Sequence, residues 1–252
     1  MLTRRLIVCL DVDGGRVAKG TRFRDLRYLA DPADMAEQYE ADGADEIVFL
    51  DISASVDGRA TMLDAVERTA RRLTIPLTVG GGVRSVADVA QTLRSGADKV
   101  ALNTAAVDEP TLVSDATRRF GAQCIVVSVD AFGLGDEWKV ATHGGRQRRS
   151  LDAVQWAVQA VALGAGELLI TSIDRDGTRC GYDNALIRAI VERVSVPVIA
   201  SGGAGNAQHL VDAFNVGQAD AVLVAGILHD RVASVTELKS HLAECGIPVR
   251  VA

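Results

Sequence analysis

The chain has 252 residues, with 27 Lys+Arg against 33 Asp+Glu and a net charge of −6. That acidic balance excludes nucleic acid as the main partner, since phosphate backbones attract basic faces, and 48% hydrophobic with 24% charged residues excludes a disordered or fibrous chain. No apolar run approaches the roughly 18 residues of a membrane span, and the opening MLTRRLIVCLDVDGG has too short an apolar stretch for a secretory signal, so a cytoplasmic protein with no membrane partner is expected.

Short apolar runs alternate with amphipathic stretches along the chain. The first predicted strand, Leu6–Asp11, is followed by a helix over Pro32–Asp42. Next come Glu46–Asp51 with Met62–Leu73, Leu77–Gly80 with Val86–Ser95, and Lys99–Asn103 with Leu112–Phe120. The second half continues with Ile125–Asp130 and Ala153–Leu163, Glu167–Ser172 and Ala185–Val194, Val196–Ser201 and Ala207–Val216, then Ala221–Ala225 and Val235–Glu244. The strands are apolar at nearly every position, as parallel strands covered on both faces are. Gly43, Gly96, Gly121, Gly164 and Gly217 stand where helices stop. This alternation predicts an α/β chain folded as a single (β/α)8 TIM barrel, with residues 1–252 forming one domain.

The chain also repeats itself. ADEIVFL at 44–50 matches AGELLIT at 165–171, IPLTVGGG at 75–82 matches VPVIASGG at 196–203, and ADKVALNTA at 97–105 matches ADAVLVAGI at 219–227. Nearly one spacing relates all three pairs, and Asp11 and Asp130, each closing an apolar strand, stand almost the same distance apart. Order and spacing together predict two tandem half-barrels, about 1–121 and 122–252, whose equivalent loops bind equivalent groups.

In such a barrel the loops after the strands form the active-site rim, where exposed backbone N–H groups bind anions. Gly80, Gly81 and Gly82 after the third strand pair with Asn103–Thr104 after the fourth; Gly202 and Gly203 after the seventh pair with Ala225–Gly226 after the eighth. A tight turn explains one glycine loop by itself, but two copies related by duplication predict a ligand with a phosphate at each end. Asp11, Asp51, Asp130 and Asp176 sit near strand ends. Asp11 and Asp130 close the first and fifth strands, opposite one another across the barrel, which suits giving and taking a proton on either side of a substrate. For Asp51 and Asp176, capping of a loop is the stronger reading. The polar segment Val12–Lys19 reads as a mobile lid whose Lys19 reaches a substrate anion, although taken by itself Lys19 reads better as a solvated surface lysine. At the other end, Arg5, Glu46, Lys99 and Glu167 begin the first, second, fourth and sixth strands, a ring of ion pairs that serves either as a polar plug or as a gate over a central passage. Cys9, Cys124, Cys180 and Cys245, like His143, His209, His229 and His241, lack ligand spacing, so no metal is predicted.

The motifs CLDVDGGRVAKG (9–20), DEIVFLDISAS (45–55), TVGGGVRS (78–85), GADKVALNTAAV (96–107), TSIDRDGTRCGYD (171–183) and IASGGAGN (199–206) run the length of the chain. On them the sequence resembles the cyclase subunits of imidazole glycerol phosphate synthase, from histidine biosynthesis. DRDGT together with CLDV separates it from the sister isomerase of that pathway. The resemblance implies a lyase without a cofactor. Its substrate would be phosphoribulosyl-formimino aminoimidazole carboxamide ribonucleotide, with a phosphate at each end. Ammonia attacks the ribulosyl ketone, water leaves, and the formimino bond is cut as the imidazole ring closes. Imidazole glycerol phosphate and aminoimidazole carboxamide ribotide are released. The resemblance assigns the proton transfers to Asp11 and Asp130 and a clamp to Lys19. It gives one phosphate to Gly82, Asn103 and Thr104, and the other to Asp176, Gly177, Gly203, Ala225 and Gly226. Arg5, Glu46, Lys99 and Glu167 correspond to a gate for ammonia from a glutaminase subunit docked as a heterodimer.

The sequence departs from that pattern in three places. The second phosphate loop reads AGILHD, with Gly226 where a serine is usual; the lid continues as LRYLADP; and the excursion after the fifth strand reads HGGRQRRSLDA, with Arg149–Ser150 in place of Thr-Gly. These departures keep open a paralogue that uses ammonia on another phosphorylated sugar or nucleotide. The sister ribosyl isomerase and a non-catalytic barrel that binds phosphorylated ligands are the other readings.

Overall fold

The computed structural model describes residues 3–21, 24–52, 54 and 61–250, apart from the side chains of residues 19–27. Its strands, in chain order, are β1 (Arg5–Asp13), β2 (Arg16–Thr21), β3 (Arg24–Tyr28), β4 (Glu46–Asp51), β5 (Leu77–Gly80), β6 (Lys99–Leu102), β7 (Ile125–Leu134), β8 (Glu137–Thr142), β9 (Gln147–Asp152), β10 (Glu167–Ser172), β11 (Val198–Ser201) and β12 (Ala221–Val224). Eight of them pair in parallel in the order β1-β4-β5-β6-β7-β10-β11-β12, and β12 returns to β1 with Ile7 beside Leu223. The result is a closed barrel with helices on its outside, the (β/α)8 fold. The expected strand Val196–Ser201 begins later, at Val198, because Pro197 has no N–H to give to a ladder.

The eight outer helices run over Pro32–Ala41, Leu63–Ala70, Val86–Arg94, Thr111–Phe120, Ala153–Ala162, Asn184–Val191, Ala207–Asn215 and Val235–Glu244. Several start on side-chain caps that satisfy otherwise orphaned N–H groups: Ser85, Asp152, Asn206 and Ser234, the last in a reciprocal box with Glu237. An aspartate just before a strand often holds the start of the neighbouring one. Asp45 accepts from Leu6 N–H at 2.8 Å, Asp98 from Leu77 N–H at 2.8 Å and Asp220 from Val198 N–H at 3.0 Å.

Two segments differ from the expectation. The stretch read as a lid extends β1 to Asp13 and turns through Gly14 and Gly15 into the antiparallel ribbon β2–β3. The excursion after the fifth barrel strand is likewise a ribbon, in which β7 continues to Leu134 and pairs with β8, and β8 pairs in turn with β9. Among the described residues, two further short α-helices, Thr104–Asp108 and Gly226–His229, follow β6 and β12 directly.

Strand alternation divides the barrel into an outside and an inside. Along β1, Leu6, Val8, Leu10 and Val12 join the large core beneath the helices. Ile7 and Cys9 face inward, with Val48, Ala101, Val126, Leu169, Ile199, Ala221 and Leu223, and form an apolar belt across the barrel. The charged residues Arg5, Glu46, Lys99 and Glu167 lie at the N-terminal side of that belt. Asp11, Ser128, Asp130, Thr171 and Ser201 lie at its C-terminal side, and Asn103 follows the end of β6 there.

Candidate active site

A cavity of about 920 Å³ opens at the C-terminal ends of the barrel strands. It is lined by Asp11, Gly82, Asn103, Thr104, Asp130, Asp176, Gly177, Gly203, Ala225 and Gly226, so ten of the residues singled out in the sequence meet in one space. Lys19 has its backbone in β2, and its side chain lies outside the described residues. Arg5, Glu46, Lys99 and Glu167 do not reach this cavity; they close the opposite end.

β1 and β7 are four places apart in a ring of eight, so Asp11 and Asp130 project from opposite walls. Burial pushes the Asp11 carboxyl up to about 7, helped by the negative charge of Asp176 and opposed by a hydrogen bond from Cys9. Asp130 also rises to about 7, first through burial and then through Asp176, against a bond from Asn103 Nδ2 at 2.9 Å. Desolvation disfavours the charged carboxylate, and a third acid nearby adds to that penalty. Near neutral pH each aspartate therefore exchanges a proton with little driving force, the condition for general acid–base work.

Each end of the cavity carries a glycine turn and a short helix. Gly81 has φ +91°, and a Cβ there would stand 2.1 Å from the Asp51 carbonyl oxygen. Gly203, the second-half counterpart of Gly82, has φ +106°, and its Cβ would stand 2.2 Å from the Gly181 carbonyl oxygen. Only glycine fits where backbones approach so closely with a left-handed φ. The Gly181 N–H donates back to the Gly203 carbonyl at 2.8 Å, which ties the loop after β10 to the loop after β11. Asp51, by contrast, caps its own loop, accepting from Ala54 N–H at 3.1 Å.

At the other end of the barrel the four charged residues form a closed cycle. Glu46 accepts from Arg5 Nη1 at 3.0 Å and from Lys99 Nζ at 2.9 Å; Glu167 accepts from Lys99 Nζ at 2.8 Å and from Arg5 Nη2. Thr78 Oγ1 donates to Glu46 at 2.6 Å, so this carboxylate, 1% exposed, has every neighbour it needs.

The sequence of the "Histidine biosynthesis protein" family matches residues 5–234 of this chain. The chain is 60% identical over 250 residues to "Imidazole glycerol phosphate synthase subunit HisF" of Myxococcus xanthus, covering 99% of both proteins. It is 56% identical over 250 residues to the protein of the same name from Metallosphaera sedula, covering 99% of this chain and 100% of that one. The chain belongs to the histidine biosynthesis protein family.

In this member of the histidine biosynthesis family, the unusual Arg149 is engaged within the protein. It bonds Thr142 Oγ1 at 3.0 Å and pairs with Asp108, the last residue of the short helix that begins at Thr104. Asp230, which ends the equivalent helix after Gly226, is held by Arg179 from the loop after β10. Both short helices are thus pinned at their C-terminal aspartates by an arginine, Arg149 from β9 and Arg179 from the loop after β10. Arg149→Ala is expected to cost no more than about 1 kcal/mol of stability, as half-exposed ion pairs do. It should raise KM a few-fold with kcat unchanged, which steady-state kinetics beside thermal unfolding will read.

Sequence reasoning in this histidine biosynthesis protein missed several cavity residues. Cys9, Ser128, Thr171, Ser201 and His143 line the space. Cys9 and Ser128 stand two residues before Asp11 and Asp130, so stepping back by the strand period from each aspartate would have found them. Asp176, read as a phosphate-loop residue, acts electrostatically on both aspartates. No local pattern announces that. Among the described residues, no group of three or more His, Cys, Asp or Glu is placed to hold a metal ion, and no helix is long and apolar enough to cross a membrane.

Proposed function

We propose that this chain is the cyclase subunit of an imidazole glycerol phosphate synthase, a lyase of histidine biosynthesis built as two tandem half-barrels, with Asp11 and Asp130 as its acid–base pair. The observation that carries the reading is the pair of carboxyls, each pushed to about 7, facing across one cavity between two glycine cradles. The near full-length identity to two proteins bearing that subunit's name supports the reaction.

One phosphate of the substrate rests on Gly82, Asn103 and Thr104. The other rests on the backbone of Gly177, Gly203, Ala225 and Gly226, with Asp176 in the same loop. The Asp176 carboxylate repels an anion and its N–H donates to the Ser172 carbonyl at 2.9 Å, so Asp176 shapes that end of the cavity by holding its loop. Gly226 lacks the hydroxyl of the usual serine, and neighbouring backbone groups carry that end. With both ends held, the ribulosyl ketone and the formimino carbon lie between Asp11 and Asp130. Ammonia attack on the ketone needs a proton delivered to the departing oxygen and another removed from nitrogen. Ring closure with cleavage of the formimino bond needs a second such exchange. Two carboxyls near neutrality on opposite walls can serve both without a cofactor. Asn103 holds Asp130 in place, and its Oδ1, buried without a partner among the described residues, is left to accept from substrate. Lys19, whose backbone lies in β2, takes the clamp role that the family resemblance assigns to it.

Ammonia comes from a glutaminase subunit docked on the N-terminal face of the barrel. The ring of Arg5, Glu46, Lys99 and Glu167 then serves as the gate, because its parting joins that face to the apolar belt beneath the cavity. Neutral ammonia crosses such a belt at lower cost than ammonium, whose charge demands solvation.

The decisive experiment supplies the bisphosphorylated substrate and ammonium salt at high pH to the purified chain without glutaminase, and follows product by absorbance. Turnover that needs ammonia is the expected result. Substrate conversion without ammonia would make the chain an isomerase. Binding without any turnover by folded protein would leave a ligand-binding barrel.

A further inference from the structure

Asp11 and Asp130 are held by different donors. Asp130 receives an amide N–H from Asn103 at 2.9 Å. Asp11 receives the thiol of Cys9, whose Sγ lies 3.3 Å from Oδ1. Cys9 and Asp11 are two residues apart on β1, so both face the barrel interior, while Leu10 between them packs under the helices. Cys9 is 3% exposed and forms part of the cavity floor where the apolar belt ends.

A thiol donates only while it keeps its proton. Burial and the adjacent Asp11 carboxylate hold the Cys9 thiol well above its ordinary ionisation range. It is therefore a permanent donor and an unreactive sulfur, since the thiolate is the nucleophile. A thiol also suits the place: one side meets Ile7, Val48 and Leu223 in the belt, where a hydroxyl would cost more to bury. In the second half, Ser128 stands in the matching position, two residues before Asp130 and likewise on the cavity wall, but Asp130 takes its bond from Asn103.

We propose that Cys9 is a positioning residue for catalysis: its S–H donates to Asp11 Oδ1, fixes the carboxyl rotamer and leaves Oδ2 to face the substrate. This rests on the acid–base reading of Asp11 given above. The charged groups that act on Asp11 are Asp176, from the loop after β10, and Asp130, on β7; Asp51 at the end of β4 lines the same cavity. All are acids, and Cys9 is the neutral donor that opposes them.

The test compares Cys9→Ala and Cys9→Ser in the full chain, using ammonia-driven turnover across pH. Loss of a donor to the ionised form raises a carboxyl's pKa, and a stronger donor lowers it. Cys9→Ala should lower kcat about 3–10-fold, the size of one weak hydrogen bond, with KM within about twofold of wild type. It should also move the limb of the kcat profile set by Asp11 to higher pH. Cys9→Ser should restore most of kcat and move that limb to lower pH. The infrared S–H band lost in Cys9→Ala should shift in Asp11→Asn, because its acceptor has changed. Thermal unfolding of both variants checks the fold. Wild-type kcat and an unmoved profile in Cys9→Ala, with Asp11→Asn inactive, overturn the proposal alone. Equal losses in both variants with an unmoved limb mean packing only, and overturn it too. An active Asp11→Asn overturns the acid–base reading as well.

Discussion

Asp11→Asn and Asp130→Asn are each expected to lower kcat by about 10²–10⁴-fold, the usual worth of a positioned acid or base, and yet to stabilise the fold at pH 8. The second half of this result follows from linkage. Both carboxyls are pushed up to about 7 in the folded chain, from the ordinary 3.8 of an exposed aspartate. Between those values the folded state binds more protons than the unfolded one, so stability falls as pH rises from about 4 to about 7 and stays reduced above it. An asparagine has no proton to lose and escapes the penalty, while its oxygen still accepts from Asn103 or Cys9. The gain at pH 8 is on the order of a few kcal/mol for either variant. At pH 5, where the native aspartates are largely protonated, most of that gain disappears. Urea unfolding of wild type and variants at the two pH values measures the difference. A variant that is inactive and no more stable at pH 8 would show that the carboxyls are solvated, and their acid–base poise would then lack a cause. Sites arranged for chemistry commonly reduce stability in this way.

Lys99→Met is expected to destabilise the fold by about 2–4 kcal/mol at pH 7.5. Removing one partner from a buried ion-pair cycle leaves uncompensated charge. Here Glu46 and Glu167 would be left sharing Arg5 alone. The loss stays at the lower end because Arg5 remains and its side chain is 27% exposed, so water screens part of the imbalance. The double variant Lys99→Met/Glu46→Gln should recover most of it, since removing one charge of each sign restores the balance. Denaturant midpoints at constant slope would show this directly. With ammonium salt, Lys99→Met should keep kcat close to wild type, because the ring lies across the apolar belt from the cavity. With glutamine and a glutaminase subunit, the same variant should use ammonia less efficiently. Equal loss with both ammonia sources would remove the gate reading and leave a structural plug.

Much of this fold was legible because helices and parallel strands write different periods. Glu46–Asp51, Leu77–Gly80 and Glu167–Ser172 have the expected bounds. The helices differ by a few residues at their ends, where capping and the final turn decide. The two ribbons were missed because β2, β8 and β9 are short and interrupt their few buried apolar residues, such as Val17 and Val140, with charged ones. Arg149 stood out only as a departure from Thr-Gly; its partners Asp108 and Thr142 come from other parts of the chain.

By itself, the sequence determined the order of the eight barrel strands and their outer helices, the barrel they form, the glycine turns, and the residue types at strand ends. These are local properties, set by period, propensity and backbone freedom. The tertiary structure decided which of those residues meet. A parallel strand buried on both faces is apolar throughout, so the pattern alone does not say whether Cys9 or Leu10 faces the barrel interior. Closure of β12 onto β1 settles it. Closure also brings Asp176 into the field of two aspartates, joins Arg5 to Glu167, and sets Cys9 beneath Asp11 at the edge of an apolar belt. Desolvation in that enclosed space, rather than any feature of the chain's local sequence, moves the two carboxyls to neutrality.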